Sequence, residues 1–60
     1  MKNYMIVILL DGEQSAYFTD DYMSADNARM DAECGLGAYV EMYQRVWDND
    51  ICEYRYSPVD

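Results

Sequence analysis

The first part of the chain passes from an unbroken apolar run through a polar turn to a mixed segment. The apolar run covers residues 4–10, is rich in β-branched side chains and ends at the dipeptide Asp11-Gly12. Such a run followed by Asp-Gly predicts a buried central strand that enters a tight hairpin turn. We expect the return strand at residues 14–19.

Small apolar residues then recur at helical spacing after an acidic connection. Ser24 is a good N-cap, and Asp26 places negative charge in the first turn, where the helix dipole favours it. A helix is therefore predicted over residues 25–34, with Gly35 and Gly37 as its stop. The side of this helix that packs on a sheet is expected to consist of Ala25, Ala28, Ala32 and Leu36.

The next segment has a period of two, which is typical of a strand. It covers residues 38–47, and one side of it carries Val40, Met42 and Val46. The opposite side carries Tyr39, Glu41, Tyr43, Arg45 and Trp47. The sequence therefore predicts a long strand with an aromatic outer face.

A turn and a short strand complete the predicted order of elements. The turn is expected at residues 48–50 and the strand at residues 51–56, and Pro58 is expected to end the regular structure. The order ββαββ predicts an α+β fold, a small antiparallel sheet with one helix packed on one face. Residues 1–60 are expected to form a single acidic domain, and the sequence leaves the strand order of the sheet open.

The balance of charge narrows the classes of partner. Of the 60 residues, 12 are Asp or Glu, 4 are Lys or Arg and none is His, which gives a net charge of −8. A field of that sign repels nucleic acid and anionic membranes and favours basic surfaces. The apolar run at residues 4–10 is far shorter than the roughly 20 residues that span a bilayer. We therefore expect a cytoplasmic protein, a monomer or weak homodimer, that binds neither nucleic acid nor membrane directly.

Catalytic chemistry is not indicated by the sequence. Because His is absent and Ser15, Ser24 and Ser57 lie in no nucleophile motif, we expect no catalytic residue and no enzyme activity. Cys34 and Cys52 are expected to be reduced, partly buried thiols, and two thiols without His do not form a structural zinc site. We expect no metal and no cofactor.

The segment from Asp48 begins like a calcium loop. The glycine required at the sixth position and the glutamate required at the twelfth are replaced by Glu53 and Val59. An Asx-rich hairpin turn is therefore the favoured interpretation.

The aromatic stripe of Tyr39, Tyr43 and Trp47 has two interpretations. The rings cover the open face of the sheet, together with Tyr4 or Tyr54, or they form a patch that binds a partner. Tyr and Trp are enriched at interface hot spots, so rings that cover the sheet are also suited to binding a partner, and the two interpretations are compatible. A stacking platform for single-stranded nucleic acid is disfavoured because such platforms lie in basic grooves.

The acidic residues also have two interpretations. An acidic face usually serves only to keep a protein soluble. The alternative is imitation of DNA, because duplex DNA carries one charge per roughly 1.7 Å, so that eight charges match about 14 Å or about four base pairs. The expected acidic contact residues are Asp11, Glu13, Asp20, Asp21, Asp26, Asp31, Glu33, Asp48, Asp50 and Glu53.

A short acidic chain with a sheet-plus-helix pattern and no catalytic group resembles the phage-encoded anti-CRISPR proteins, many of which inhibit by occupying a DNA-binding surface. The resemblance covers the whole chain and is one of size, charge and pattern, so it assigns no role to a numbered residue. It implies that the carboxylates occupy the basic DNA-binding surface of a CRISPR effector subunit in a bacterial host cell.

Two other resemblances imply other targets. The order of a hairpin, a helix and a further strand is similar to that of the small T7-type phage inhibitor of bacterial RNA polymerase. Acidic inhibitors of restriction enzymes are a third comparison, although known duplex mimics of that kind are larger. The expected function is a phage or mobile-element inhibitor that mimics DNA and evades host defence. The alternative of a different class is a structural or accessory protein that binds through Tyr39, Tyr43 and Trp47.

Overall fold

The computed structural model describes residues 1–59 as a four-stranded antiparallel sheet with one helix on one face. The predicted α+β fold and its ββαββ order are thereby confirmed. The elements are β1 (Tyr4–Leu10), β2 (Glu13–Thr19), α1 (Tyr22–Met30) with a π-helical turn (Asp31–Gly35), β3 (Tyr39–Asp48) and β4 (Glu53–Pro58).

The strand order is β2-β1-β3-β4, so the predicted central position of β1 is confirmed. Tyr4 of β1 lies opposite Thr19 of β2 and opposite Gln44 of β3. The turn between β1 and β2 places Asp11 at φ 54° and Gly12 at φ 81°. Two successive positive φ angles match the right-handed twist of a hairpin, and Asp-Gly adopts them at little cost.

The second hairpin projects beyond the end of β1. The turn occupies residues 49–52 and β4 occupies Glu53–Pro58, so the predicted turn at 48–50 began one residue too early and the predicted strand at 51–56 two residues too early. Closing this longer turn requires Cys52 at φ 54°. Pro58 lies within β4, opposite Tyr43, because an edge strand tolerates the missing N–H of proline.

The helix begins three residues before the predicted start. The carboxylate of Asp21 accepts hydrogen bonds from the backbone N of Ser24 at 3.1 Å and from its Oγ at 2.9 Å. Asp21 is therefore the N-cap, and the prediction of Ser24 as N-cap was wrong. Asp and Ser are equally good N-cap residues. Asp21, three residues upstream of Ser24, accepts a hydrogen bond from the Ser24 N–H, which would otherwise have no partner at the end of the helix.

The predicted helix face is only partly correct. Ala25 and Ala32 are buried and Ala28 packs against the core, whereas Leu36 is exposed. A π turn holds more residues than an α-helical turn, so positions after Ala32 no longer follow the 3.6-residue spacing. The next buried residue after Ala32 is Ala38 rather than Leu36. The N–H of Ala38 donates a hydrogen bond to the carbonyl of Ala32 at 3.0 Å.

The core between the helix and the sheet is small. It consists of Ile6, Ala25 and Met42, with partly buried Tyr4 and Ile8 packed against it. Alanine on the helix allows the backbone of α1 to lie close to the sheet, which leaves room for few large side chains. None of the helices within residues 1–59 is long and apolar enough to cross a membrane.

Both thiols differ from the prediction. Cys34 and Cys52 are free and exposed, so the expectation that they are partly buried was wrong. The reason is their position, because one lies in the π turn and the other in the turn between β3 and β4.

The open face of the sheet as the candidate functional site

The face of the sheet away from the helix carries the largest exposed side chains. Ile6 and Met42 lie opposite each other and face the helix, so their neighbours Met5 and Tyr43, also opposite each other, face away. The open face, as this surface is called below, consists of Met5, Val7, Leu9, Gln14, Ala16, Phe18, Tyr39, Glu41, Tyr43, Arg45, Trp47, Tyr54, Tyr56 and Pro58.

Six of the side chains on the open face are aromatic. Phe18 is 47% exposed, Tyr39 64%, Trp47 52% and Tyr54 49%. The rings of Trp47 and Tyr54 meet edge to face, with centroids 5.1 Å apart. The predicted stripe of Tyr39, Tyr43 and Trp47 thus lies on one face, together with Tyr54.

Tyr4 does not belong to this group of rings. Its ring meets that of Tyr22 at 5.6 Å on the helix side of the sheet. Of the two candidates for completing the stripe, Tyr54 is therefore correct and Tyr4 is wrong, because even-numbered residues of β1 point toward the helix.

The rings at the two edges of the open face lie close to each other. Phe18 belongs to β2 and Tyr56 to β4, the two outer strands, yet their ring centroids are only 6.0 Å apart. Since two strands lie between them, the large rings at both edges must lean inward over the face. The result is a concave surface rather than a flat one.

A groove of about 500 Å³ follows this concave surface. Its floor is aliphatic, with Met5, Val7 and Leu9 of β1. Its remaining lining consists of Gln14, Tyr39, Glu41, Tyr43 and Tyr56. The groove is therefore mostly apolar and holds a single carboxylate.

Glu41, the third residue of β3, carries that carboxylate. It accepts a hydrogen bond from Tyr39 Oη at 3.0 Å on one oxygen and a hydrogen bond from Tyr43 Oη on the other. The hydrogen bond from Tyr43, followed by that from Tyr39, lowers the pKa of Glu41, and the carboxylate in turn raises the pKa of both phenols. Glu41 is therefore ionised at neutral pH.

Glu41 was not among the predicted contact residues, although the period of two places it on the aromatic side of β3. Its spacing of two residues from both Tyr39 and Tyr43 is the signal that identifies it, because side chains two apart on a strand share a face. Charge alone did not single it out, since it is one of 12 acidic residues.

The predicted acidic residues do not share one surface. Asp11 and Glu13 lie at the turn between β1 and β2, beside the start of β3, whereas Asp48, Asp50 and Glu53 lie at its other end. A strand rises roughly 3.3 Å per residue, so the two turns are about 30 Å apart along the ten residues of β3. They form two acidic ends, which are separated by the open face.

Several other carboxylates are paired with the protein's own cations. Lys2 lies 3.3 Å from Asp20, and Arg55 lies 2.8 Å from Asp48. A hydrogen bond from the backbone N of Asn3 is the main cause that lowers the pKa of Asp20. These carboxylates are partly neutralised within the chain.

The helix carries a similar pair. Arg29 lies 2.5 Å from Asp26 and 3.9 Å from Glu33, so one cation serves two of the predicted contact residues. Asp21 is engaged as the N-cap, and hydrogen bonds from the Ser24 hydroxyl and then its backbone N–H lower the pKa of the Asp21 carboxyl. Asp31 forms no ion pair among residues 1–59.

The fourth cation lies on the open face. The guanidinium of Arg45 stacks 4.5 Å from the centroid of the Tyr54 ring and donates to the Met1 carbonyl at 3.2 Å. Such a cation–π contact is electrostatic and strengthens when the pair is desolvated. The open face therefore already holds one guanidinium against an aromatic ring.

The turn between β3 and β4 has the geometry of an Asx turn. The backbone N of Asp50 donates to Asp48 Oδ1 at 2.9 Å, and Trp47 Nε1 donates to Asn49 Oδ1 at 2.6 Å. The favoured interpretation of this segment is thereby confirmed. Residues 1–59 form no group of three or more side chains suited to a metal ion.

The chain matches no protein-family model, and no curated protein or solved structure is significantly similar to it. The functional interpretation therefore depends on the open face, on the two acidic ends and on the net charge.

Proposed function

We propose that this protein is a non-catalytic inhibitor that binds a basic surface of a bacterial nucleic-acid-binding complex, with the open face of the sheet as its central contact. The observation that carries the proposal is the concentration of six aromatic rings on one exposed, concave face of an acidic protein.

The aromatic content of the open face supports a protein partner. Monomeric proteins rarely expose contiguous apolar patches of more than a few hundred Å², and larger ones usually mark interaction sites. Trp and Tyr dominate interface hot spots because each buries a large rigid area and keeps a polar atom for hydrogen bonding. Trp47, Tyr54 and Tyr39 have this composition and are about half exposed or more.

The net charge supports a basic partner. A charge of −8 attracts surfaces rich in Lys and Arg and speeds their encounter. In this arrangement the acidic ends flank the open face and contact the rim of the interface, where charge mainly affects the association rate and its salt dependence. The carboxylates orient the complex, and the rings supply most of its affinity.

The partner that we favour is the DNA-binding surface of a CRISPR effector in the bacterial cytoplasm. This choice is supported by the resemblance of size, charge and sheet-plus-helix pattern to anti-CRISPR proteins of phages. Carboxylates of the acidic ends take the places of DNA phosphates, so the protein competes with target DNA. The rings on the open face add contacts that a purely electrostatic mimic lacks.

Affinity capture tests this proposal. The tagged protein is incubated with a bacterial lysate that contains a CRISPR effector, washed at low and at high salt, and the bound proteins are identified by mass spectrometry. We expect recovery of a DNA-binding subunit whose retention falls at high salt. Exposed charges more than about 8 Å apart are largely screened at physiological ionic strength, and higher salt shortens this distance and weakens the attraction between the rim charges.

Two tagged variants make the capture specific. Trp47→Ala removes an exposed ring of the open face, and Asp31→Asn removes a carboxylate of the helix side; circular dichroism checks that both are folded. We expect Trp47→Ala to lose the subunit and Asp31→Asn to keep it. Recovery of RNA polymerase would change the target, and recovery of only the protein itself would overturn the proposal in favour of self-assembly.

A further inference from the structure

Glu41 is the only acidic residue on the open face, and it has no cationic partner among residues 1–59. Three of the four cations pair with Asp20, Asp26 and Asp48 elsewhere. The fourth, Arg45, stands four residues further along β3, about 13 Å away at roughly 3.3 Å per residue. The carboxylate of Glu41 is therefore an exposed charge in the groove without a counter-ion among the described residues.

The hydrogen bonds that Glu41 already accepts do not exhaust its capacity. An ionised carboxylate offers about four lone-pair sites on its two oxygens. Tyr39 Oη occupies one site on Oε1 and Tyr43 Oη one site on Oε2. Each oxygen thus keeps capacity for a further hydrogen bond, and a bidentate donor uses one on each oxygen.

The surroundings of Glu41 fit a long side chain with a charged end. Met5 and Val7 line the groove next to Glu41 and offer aliphatic contacts to a methylene stem. Tyr43 and Tyr56 also line the groove, so that aromatic rings, which attract cations, lie close to Glu41.

We propose that this groove receives an arginine side chain of the basic partner protein, with Glu41 binding its guanidinium. The inference deepens the proposed function and rests on it. Arginine is favoured over lysine because its planar fork matches the two oxygens of the carboxylate and stacks on aromatic rings. Arg45 on the Tyr54 ring shows the same kind of contact within the chain.

A direct test uses the folded protein and a small probe, N-acetylarginine N-methylamide, in about 0.15 M salt, where long-range attraction is screened. The protein is labelled with ¹³C at its methionine methyl groups. Met5 lines the groove and reports binding, whereas Met42 lies in the core on the other face and reports that the fold is unchanged. We expect a saturable shift of the Met5 signal and a constant Met42 signal.

Two variants with the same change of charge isolate Glu41. Glu41→Gln is expected to weaken binding of the probe by about 10-fold, because it removes the charge that makes a bidentate ionic hydrogen-bond pair stronger than a neutral one. Asp31→Asn lies outside the open face and the acidic ends, and it is expected to change affinity by less than about 2-fold, as a screened surface charge should. Equal effects of the two variants would show that only net charge matters and would overturn the inference.

Two further probes test the chemistry of the ligand. N-acetylcitrulline N-methylamide has a similar shape without the charge, and N-acetyllysine N-methylamide has the charge without the planar fork. Weaker binding of both supports an arginine site. Binding of either as tightly as the arginine probe would overturn the assignment to arginine.

The outcomes also separate this inference from the proposed function. If the arginine probe fails to shift Met5 while Trp47→Ala still abolishes capture of the DNA-binding subunit, the arginine site is wrong and the function stands. If the probe binds and Glu41→Gln abolishes its binding, but no nucleic-acid-binding protein is captured, the groove stands and the proposed function is wrong.

Discussion

The two faces of the sheet differ in size of side chain and in exposure. The helix-covered face is built from Ile6 and Met42 against Ala25, all buried. The open face carries six aromatic rings and leaves rings such as Trp47 about half exposed. The comparison teaches that most of the aromatic rings of this chain lie outside the core between the helix and the sheet.

This arrangement is unfavourable for stability alone. A domain of about 60 residues buries only about 60% of its unfolded surface and is marginal for that reason. Fully burying a large apolar side chain stabilises by about 1.5–3 kcal/mol, so rings left exposed forgo part of that stabilisation. Under the proposed function, a partner that covers the open face would supply the missing burial, and this is the physical reason for proposing this face as the contact.

The largest effect should come from the helix-covered face. Ile6→Ala creates a cavity in a small core and is expected to lower the free energy of unfolding by about 2–5 kcal/mol. Val7→Ala, the adjacent residue on the open face, is the matched control and is expected to lower it by about 1 kcal/mol. Urea denaturation measures both, and equal losses would contradict the assignment of stability to one face.

A smaller effect should come from the cap of the helix that covers the core. Asp21→Ala removes the acceptor for the Ser24 N–H and is expected to lower the melting temperature by less than Ile6→Ala does. Asp21→Asn makes the same change of charge but keeps a capping oxygen, so it should melt close to the unaltered protein. If both variants melt alike, charge rather than capping is the cause.

The smallest effect concerns Glu41 and pH. Because its pKa is lowered in the folded protein, Glu41 stabilises the fold above its ordinary pKa of 4.5, and this contribution is lost as the pH falls through the lowered value. Tyr43→Phe removes the largest cause of the shift and should move the pKa of Glu41 back toward 4.5.

A ¹³C titration of the glutamate carboxyl groups measures this pKa. Tyr54→Phe is the control, since Tyr54 lies on the same face and donates no hydrogen bond to Glu41. We expect the pKa of Glu41 to be unchanged in that variant, and the acid side of the stability curve to be less steep in Tyr43→Phe. An equal pKa in the two variants would contradict the hydrogen-bonded arrangement on the open face.

The elements of the fold were largely predictable because their signals are local. The apolar run and Asp11-Gly12 locate the first hairpin. The period of two in β3 places Tyr43 and Met42 on opposite faces of the sheet. The N-cap was placed at Ser24 because Asp21 and Ser24 are both good caps, and only packing of the helix on the sheet selects one. The π turn after Met30 has no sequence signal that we can identify.

The site was less predictable because it depends on strand order and on the direction in which the edge side chains lean. The stripe of Tyr39, Tyr43 and Trp47 follows from one strand, but the approach of Phe18 to Tyr56 involves the two outer strands, β2 and β4, whose rings lean over the sheet. The separation of the acidic residues into two ends likewise depends on how the two hairpins pair, which charge patterning does not determine.

The most direct test of the account is the ¹³C-methionine methyl spectrum of the protein with and without the captured partner. Met5 lies on the open face, Met23 and Met30 are exposed on the helix, and Met42 lies in the core. The account predicts that the partner shifts the Met5 signal and leaves Met23 and Met30 in place. Shifts at Met23 and Met30 with an unchanged Met5 would place the partner on the helix side and contradict the assignment of binding to the open face.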